Sequence, residues 1–153
     1  MVGMFAGEVR CASVVVVRME IEVAVSVPIT VLIVDDDEIV RKLIRLMLRG
    51  SRRYRFLEAN DASEALKIAG QHRGDIDLLL SEVVLAGRMN GTEMAAQMSQ
   101  ARPEMKVVLM SGCAPESLTM EPAWHFIQKP FSVSEIQERI GSILDRQSVV
   151  ARS

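Results

Sequence analysis

Cysteine is scarce in this sequence, and what there is carries no pattern. Cys11 and Cys113 are far apart and form no CxxC pair, so neither a metal knuckle nor a disulfide framework is indicated; two free thiols in a reducing cytosol are the expectation. A basic excess is also missing. The 18 Lys and Arg against 20 Asp and Glu leave a net charge of −2, without the basic face that a nucleic-acid partner would require. Arg41, Lys42, Arg45, Arg49, Arg52 and Arg53 do gather locally, and read as the solvated face of a helix and its following turn. No apolar run approaches the roughly 18 residues needed to cross a bilayer. Near the N-terminus Glu8, Arg10, Arg18, Glu20 and Glu22 interrupt the apolar residues, and residues 11–17 are short for a signal-peptide core and precede no convincing cleavage site. No internal repeat or low-complexity tract occurs. The expected location is the cytoplasm, with no membrane and no nucleic acid among the partners.

What is present is a globular balance, 49% apolar and 25% charged, in 153 residues, enough for one ordinary domain with a core. From residue 28 onward short apolar runs alternate with amphipathic segments. ITVLIV (29–34) is a continuous β-branched run of the kind buried on both faces of a sheet. After it Val40, Leu43, Ile44, Met47 and Leu48 recur at helical spacing, and Gly50 stands where a helix C-terminus favours glycine. Further strands are predicted over 54–59, 76–81, 106–110 and 124–128.

A capping box, Asp61 to Glu64, opens a helix with Ala62, Ala65, Leu66 and Ala69 on one face. A helix around 92–101 directs Met94, Met98 and Ala101 inward. The last helix starts at a second capping box, Ser132 to Glu135, and buries Val133, Ile136, Ile140, Ile143 and Leu144. Between the fourth and fifth strands, Pro115 and Pro122 leave room for only a short helix. Five strands alternating with five helices imply an α/β fold, a parallel sheet with helices on both faces. Residues 1–27 stand outside this alternation. Met19, Ile21, Val23, Val25 and Val27 are apolar at every second position, which reads either as an added edge strand or dimer contact, or as a segment around a true start at Met19. Residues 148–153 read as a frayed tail.

In an open α/β sheet, ligands bind beyond the carboxyl ends of the strands. The first strand ends in Asp35 and Asp36, the third in Glu82, the fourth in Ser111, and the fifth runs into Lys129. Three carboxylates at one edge call for a cation, and Mg²⁺ suits hard oxygen ligands while keeping waters for an incoming phosphate. Lysine and serine could hold phosphoryl oxygens. The chemistry points to phosphoryl transfer or an Mg²⁺ site.

VLIVDDDEIVRKLI, DLLLSEVVLAGRMNG, VVLMSG and FIQKPF, in that order across residues 28–147, resemble the signature segments of response-regulator receiver domains of two-component systems, in particular receivers attached to hybrid histidine kinases. The resemblance implies a doubly wound, flavodoxin-like sheet of order 2-1-3-4-5. It implies Mg²⁺ held by Asp35, Asp36, the acceptor position Glu82 and the Val84 carbonyl. It makes Ser111 the switch hydroxyl, Phe126 the aromatic switch, and Lys129 the partner of the phosphorylated side chain, followed by a cis bond to Pro130.

Where the family has an aspartate acceptor, this chain has Glu82. Glutamate adds about 1.5 Å of reach, and in-line transfer is sensitive to such displacement. The expectation is impaired or absent phosphorylation, with Glu82 either mimicking a phosphorylated side chain or inactivating the site. Ala86 replaces a usual proline, and only a short segment separates Ser111 from Lys129. The chain is thus read as a stand-alone receiver that signals by protein–protein contact with a histidine kinase or other signalling protein, through the short fourth helix, fifth strand and fifth helix. It is not read as an enzyme. Rival readings are a conventional phosphoacceptor, with Ser81 as an alternative acceptor, and a small Mg²⁺-dependent phosphohydrolase; a flavin module lacks its hydroxyl-rich phosphate loop.

Overall fold

The run ITVLIV forms the interior strand β1 (Ile29–Val34), whose last four residues have no exposed surface. Parallel neighbours flank it, β2 (Tyr54–Ala59) on one side and β3 (Leu78–Glu82) on the other, followed by β4 (Lys106–Ser111) and β5 (His125–Gln128), in the order β2-β1-β3-β4-β5. Four α-helices cover the sheet: α1 (Glu38–Leu48), α2 (Ala62–Gln71), α3 (Gly91–Ala101) and α4 (Val133–Val150). This computed structural model describes residues 27–50, 52–113 and 115–150. The alternating segment 19–26, Cys11 and residues 151–153 therefore lie outside the described residues.

Period-two alternation sorts the strand side chains into two cores. Val31, Ile33, Leu78, Leu80, Val108, Met110 and Ile127 pack with Ile44 and Leu48 of α1 and Ile136, Ile140 and Ile143 of α4. Leu32, Val34, Leu79, Val107 and Leu109 face the other way, onto the alanines of α2 and Met94 and Met98 of α3. Burying each large aliphatic side chain contributes about 1.5–3 kcal/mol.

Each helix start is fixed by a polar side chain. Asp37 accepts from the Ile39 N–H at 2.8 Å, and Asp61 from the Glu64 N–H at 2.8 Å. Asn90 with Glu93 and Ser132 with Glu135 form reciprocal capping pairs. After α1 the chain reverses at Gly50 with φ +88°, a conformation that favours glycine.

The structure departs from the sequence expectations in four places. The fourth helix is a single 3₁₀ turn, Pro115–Ser117, so α-helices number four among the described residues. Strand β3 starts at Leu78, not 76, because Asp77 is used as a cross-link: its backbone bonds to Thr30 and Lys106, and its carboxylate accepts the Thr30 N–H. Val133 and Ala101, assigned inward, are exposed, Val133 at 47%, and Leu43 on the apolar stripe of α1 is also 47% exposed. A helix face about 100° wide offers more apolar positions than its neighbours cover. Helix α4 continues through Val150, past the boundary set at 147. No helix among the described residues is long and apolar enough to cross a membrane.

Candidate functional site

The register sets the site. Val34 is level with Ser81, and Glu82 with Met110 and Ile127. Asp35, one residue past the end of β1, is thus level with Glu82 at the end of β3. Alternation continues the faces beyond the strand ends. Asp35, Glu82 and Lys129 follow Ile33, Leu80 and Ile127 toward the α1/α4 side, while Ser111 and Phe126 share parity with Leu109 and the opposite core.

Lys129 is where the charges meet. Its ammonium donates to Asp35 Oδ2 at 3.0 Å and forms a short ion pair with Glu82 Oε2. Asp35 is 2% exposed, the Glu82 side chain 13% and the Lys129 side chain 25%. Burial alone would pull the lysine pKa down, but the hydrogen bonds and charges of Glu82 and Asp35 more than offset that and hold it above its ordinary value of 10.5. The second oxygen of Glu82 turns back on its own loop, accepting from the Val83 N–H at 3.0 Å and the Val84 N–H at 3.4 Å. The added methylene lets one carboxylate bridge the loop backbone and the lysine.

The remaining predicted residues are distributed around this pair. Ser111 is buried, accepts from the Cys113 N–H at 3.2 Å, and its carbonyl takes the Lys129 N–H at 2.8 Å, tying the lysine backbone to the end of β4. The Lys129–Pro130 peptide is cis. Phe126 is partly buried against the α2/α3 core. Asp36 and Val84 are exposed. Ser81 is fully buried and donates to the Glu82 carbonyl at 2.8 Å, which leaves its hydroxyl committed and out of reach of solvent.

The oxygens of Asp35, Asp36, Glu82 and the Val84 carbonyl match Mg²⁺ in chemical kind, being hard donors. Their arrangement does not match it. Among the described residues no three acidic, histidine or cysteine side chains gather around a common cation position. The reason is visible in the side chains: Asp36 lies outward, and Asp35 and Glu82 direct oxygens to Lys129 and to backbone N–H groups.

Two residues bearing on the site escaped the sequence reading. A Cβ on Gly91 would fall inside the contact radius of the Glu82 carbonyl oxygen, so only glycine lets the start of α3 close on the end of β3, where the Gly91 N–H bonds the Val83 carbonyl at 2.7 Å. Arg41 does not belong to a solvated basic face. Its side chain is 14% exposed, and its Nη1 donates to the Asp35 carbonyl at 2.6 Å. The helical period carried the signal, since Arg41 shares a face with the buried Ile44 and Leu48.

Residues 31–141 match the family model described as "Response regulator receiver domain". The sensor kinase CckA of Brucella abortus is 30% identical over 122 residues, 77% of this chain but 13% of the kinase. The alkaline phosphatase synthesis transcriptional regulatory protein PhoP of Bacillus subtilis is 31% identical over 127 residues, 80% of this chain and 51% of that regulator. The chain thus spans only a part of each. The solved receiver domain of the hybrid histidine kinase CckA superposes with a TM-score of 0.59 at 30% identity, covering 75% of this chain and 98% of that one.

Proposed function

Because the chain belongs to the response-regulator receiver family of two-component phosphorelay signalling, we propose that it is a receiver that works without phosphorylation at Glu82. The observation that carries this is the Glu82 carboxylate itself, held at one oxygen by the Val83 and Val84 N–H groups and at the other by Lys129. An acceptor must present a free oxygen in line with its donor. Glu82 instead supplies Lys129 with a permanent anionic partner, so the module stays in one state and signals by contact, as a non-enzymatic module in the cytoplasm.

Its partner is a histidine kinase or another signalling protein. The contact is assigned to the Pro115–Ser117 turn, β5 and α4, where loss of a full helix changes the surface relative to a receiver with five helices. Mg²⁺ remains the cation these oxygens suit, and its binding is weakened because Lys129 already neutralises Asp35 and Glu82. Calorimetric titration with Mg²⁺ tests this: binding is feeble in the parent and tighter in Lys129→Met.

The decisive experiment incubates the protein with a small phosphodonor and Mg²⁺ beside a Glu82→Asp variant and measures intact mass. The variant is expected to gain a phosphoryl adduct and the parent none. A parent adduct formed as readily as the variant's would sink the proposal.

A further inference from the structure

The acidic loop is held from behind by a chain of charges that no strand or helix requires. Strand β1 ends at Val34, and the Asp35 N–H bonds the Ala59 carbonyl of β2 at 3.2 Å. The Asp35 carbonyl is past the ladder, on a residue with almost no exposed surface, and Arg41 from the second turn of α1 supplies its donor at 2.6 Å. Arg41 is in turn oriented by Glu58 of β2, its Nε donating to Oε2 at 3.4 Å, and the other Glu58 oxygen is held by Arg45 Nη1 at 2.5 Å. Because the peptide is planar, fixing the Asp35 carbonyl also fixes the plane through which the chain passes on to Asp36. A third contact, the Asp37 N–H to Asp35 Oδ1 at 2.9 Å, holds the Asp35 carboxylate.

We propose that Arg41 is a positioning residue for the acid pair, acting through the Asp35 backbone, with Glu58 and Arg45 holding its guanidinium in register. The fork is what the role demands. One guanidinium edge reaches a carbonyl while another nitrogen reaches a carboxylate, a split that a lysine ammonium on a flexible stem reproduces poorly. The role is independent of whether Glu82 accepts a phosphoryl group, so failure of either proposal leaves the other standing.

Native-state hydrogen exchange and ¹⁵N NMR on the full chain test it. In Arg41→Met the Asp35 amide is expected to exchange about ten- to a hundredfold faster, the ratio matching loss of one charge-assisted hydrogen bond, with the Asp37 amide resonance shifted. Amides of Leu32 and Leu80 in the sheet centre should change far less. Arg41→Lys should recover part of the protection, and Glu58→Gln should show the same local pattern at smaller size. Exchange that accelerates evenly across Asp35, Leu32 and Leu80 would reduce Arg41 to a stabilising residue and overturn the proposal, as would an Asp35 amide left unchanged. If Arg41→Met does not fold, Arg41→Lys and Glu58→Gln decide by the same readouts.

Discussion

The two ends of the sheet use charged residues in opposite ways. At the amino end Asp77 and Arg102 satisfy backbone. Asp77 accepts the Thr30 N–H, and Arg102 donates to the carbonyls of Ala69, His72 and Gly74, all at 2.8 Å, closing the C-terminus of α2. At the carboxyl end Asp35, Glu82 and Lys129 chiefly answer one another. A charge that satisfies carbonyls is a local fastener, whereas charges that satisfy each other form a unit in which changing one alters the rest. The first arrangement builds a fold; the second builds a site.

That contrast can be broken by mutation. The largest effect is expected for Lys129→Met, which strips a buried carboxylate of its partner and should lower stability by about 3 kcal/mol in urea unfolding. Much of that loss should vanish in a Glu82→Gln background, because the two residues act together. Arg102→Met should cost about 2 kcal/mol through its lost carbonyl bonds. Combined with Lys129→Met, at the far end of the sheet, its loss should add to within about 0.5 kcal/mol. Coupling between Arg102 and Lys129, or additivity between Lys129 and Glu82, would erase the distinction between the ends.

Gly91→Ala sharpens it from the backbone side. The new methyl must push the Glu82 peptide away, at about 1–2 kcal/mol, and should shift the Lys129 resonances while leaving those of Arg102 in place. The pH dependence is a smaller effect with a definite sign. The folded Lys129 pKa lies above its unfolded value of 10.5, so the folded protein holds the proton more tightly. The stabilisation is complete below pH 10.5 and lost as pH rises through the folded pKa, so alkaline unfolding should be steeper in the parent than in Lys129→Met. Least of all, Arg52→Ala removes a surface pair with Asp145 and should change stability by under about 0.5 kcal/mol.

Strands β1 and β4 were legible in the sequence because buried parallel strands read as continuous apolar runs. The start of β3 was not, since Ile76 extends the run while Asp77 leaves the ladder to bond Thr30 and Lys106. Pro115 and Pro122 foretold a curtailed fourth helix, though not its reduction to one turn. Motif order located Asp35, Glu82, Ser111 and Lys129 at one edge. What spacing could not convey was the Glu82 side-chain conformation, which depends on two N–H groups of its own loop, or the inward turn of Arg41, which was pooled with neighbours of like charge.

The Lys129 contact with Asp35 spans 94 residues of sequence and reaches from β5 to β1 past the intervening β3 and β4. A clasp of that span bears on kinetics as well as on equilibrium. Its loop-closure cost grows only logarithmically with length, yet it needs every strand in register before its partners meet. It should therefore form after the rate-limiting barrier to folding. Loosening it would hasten unfolding and leave the folding rate nearly untouched, so the residue at the centre of the site would also govern how long each folded molecule lasts.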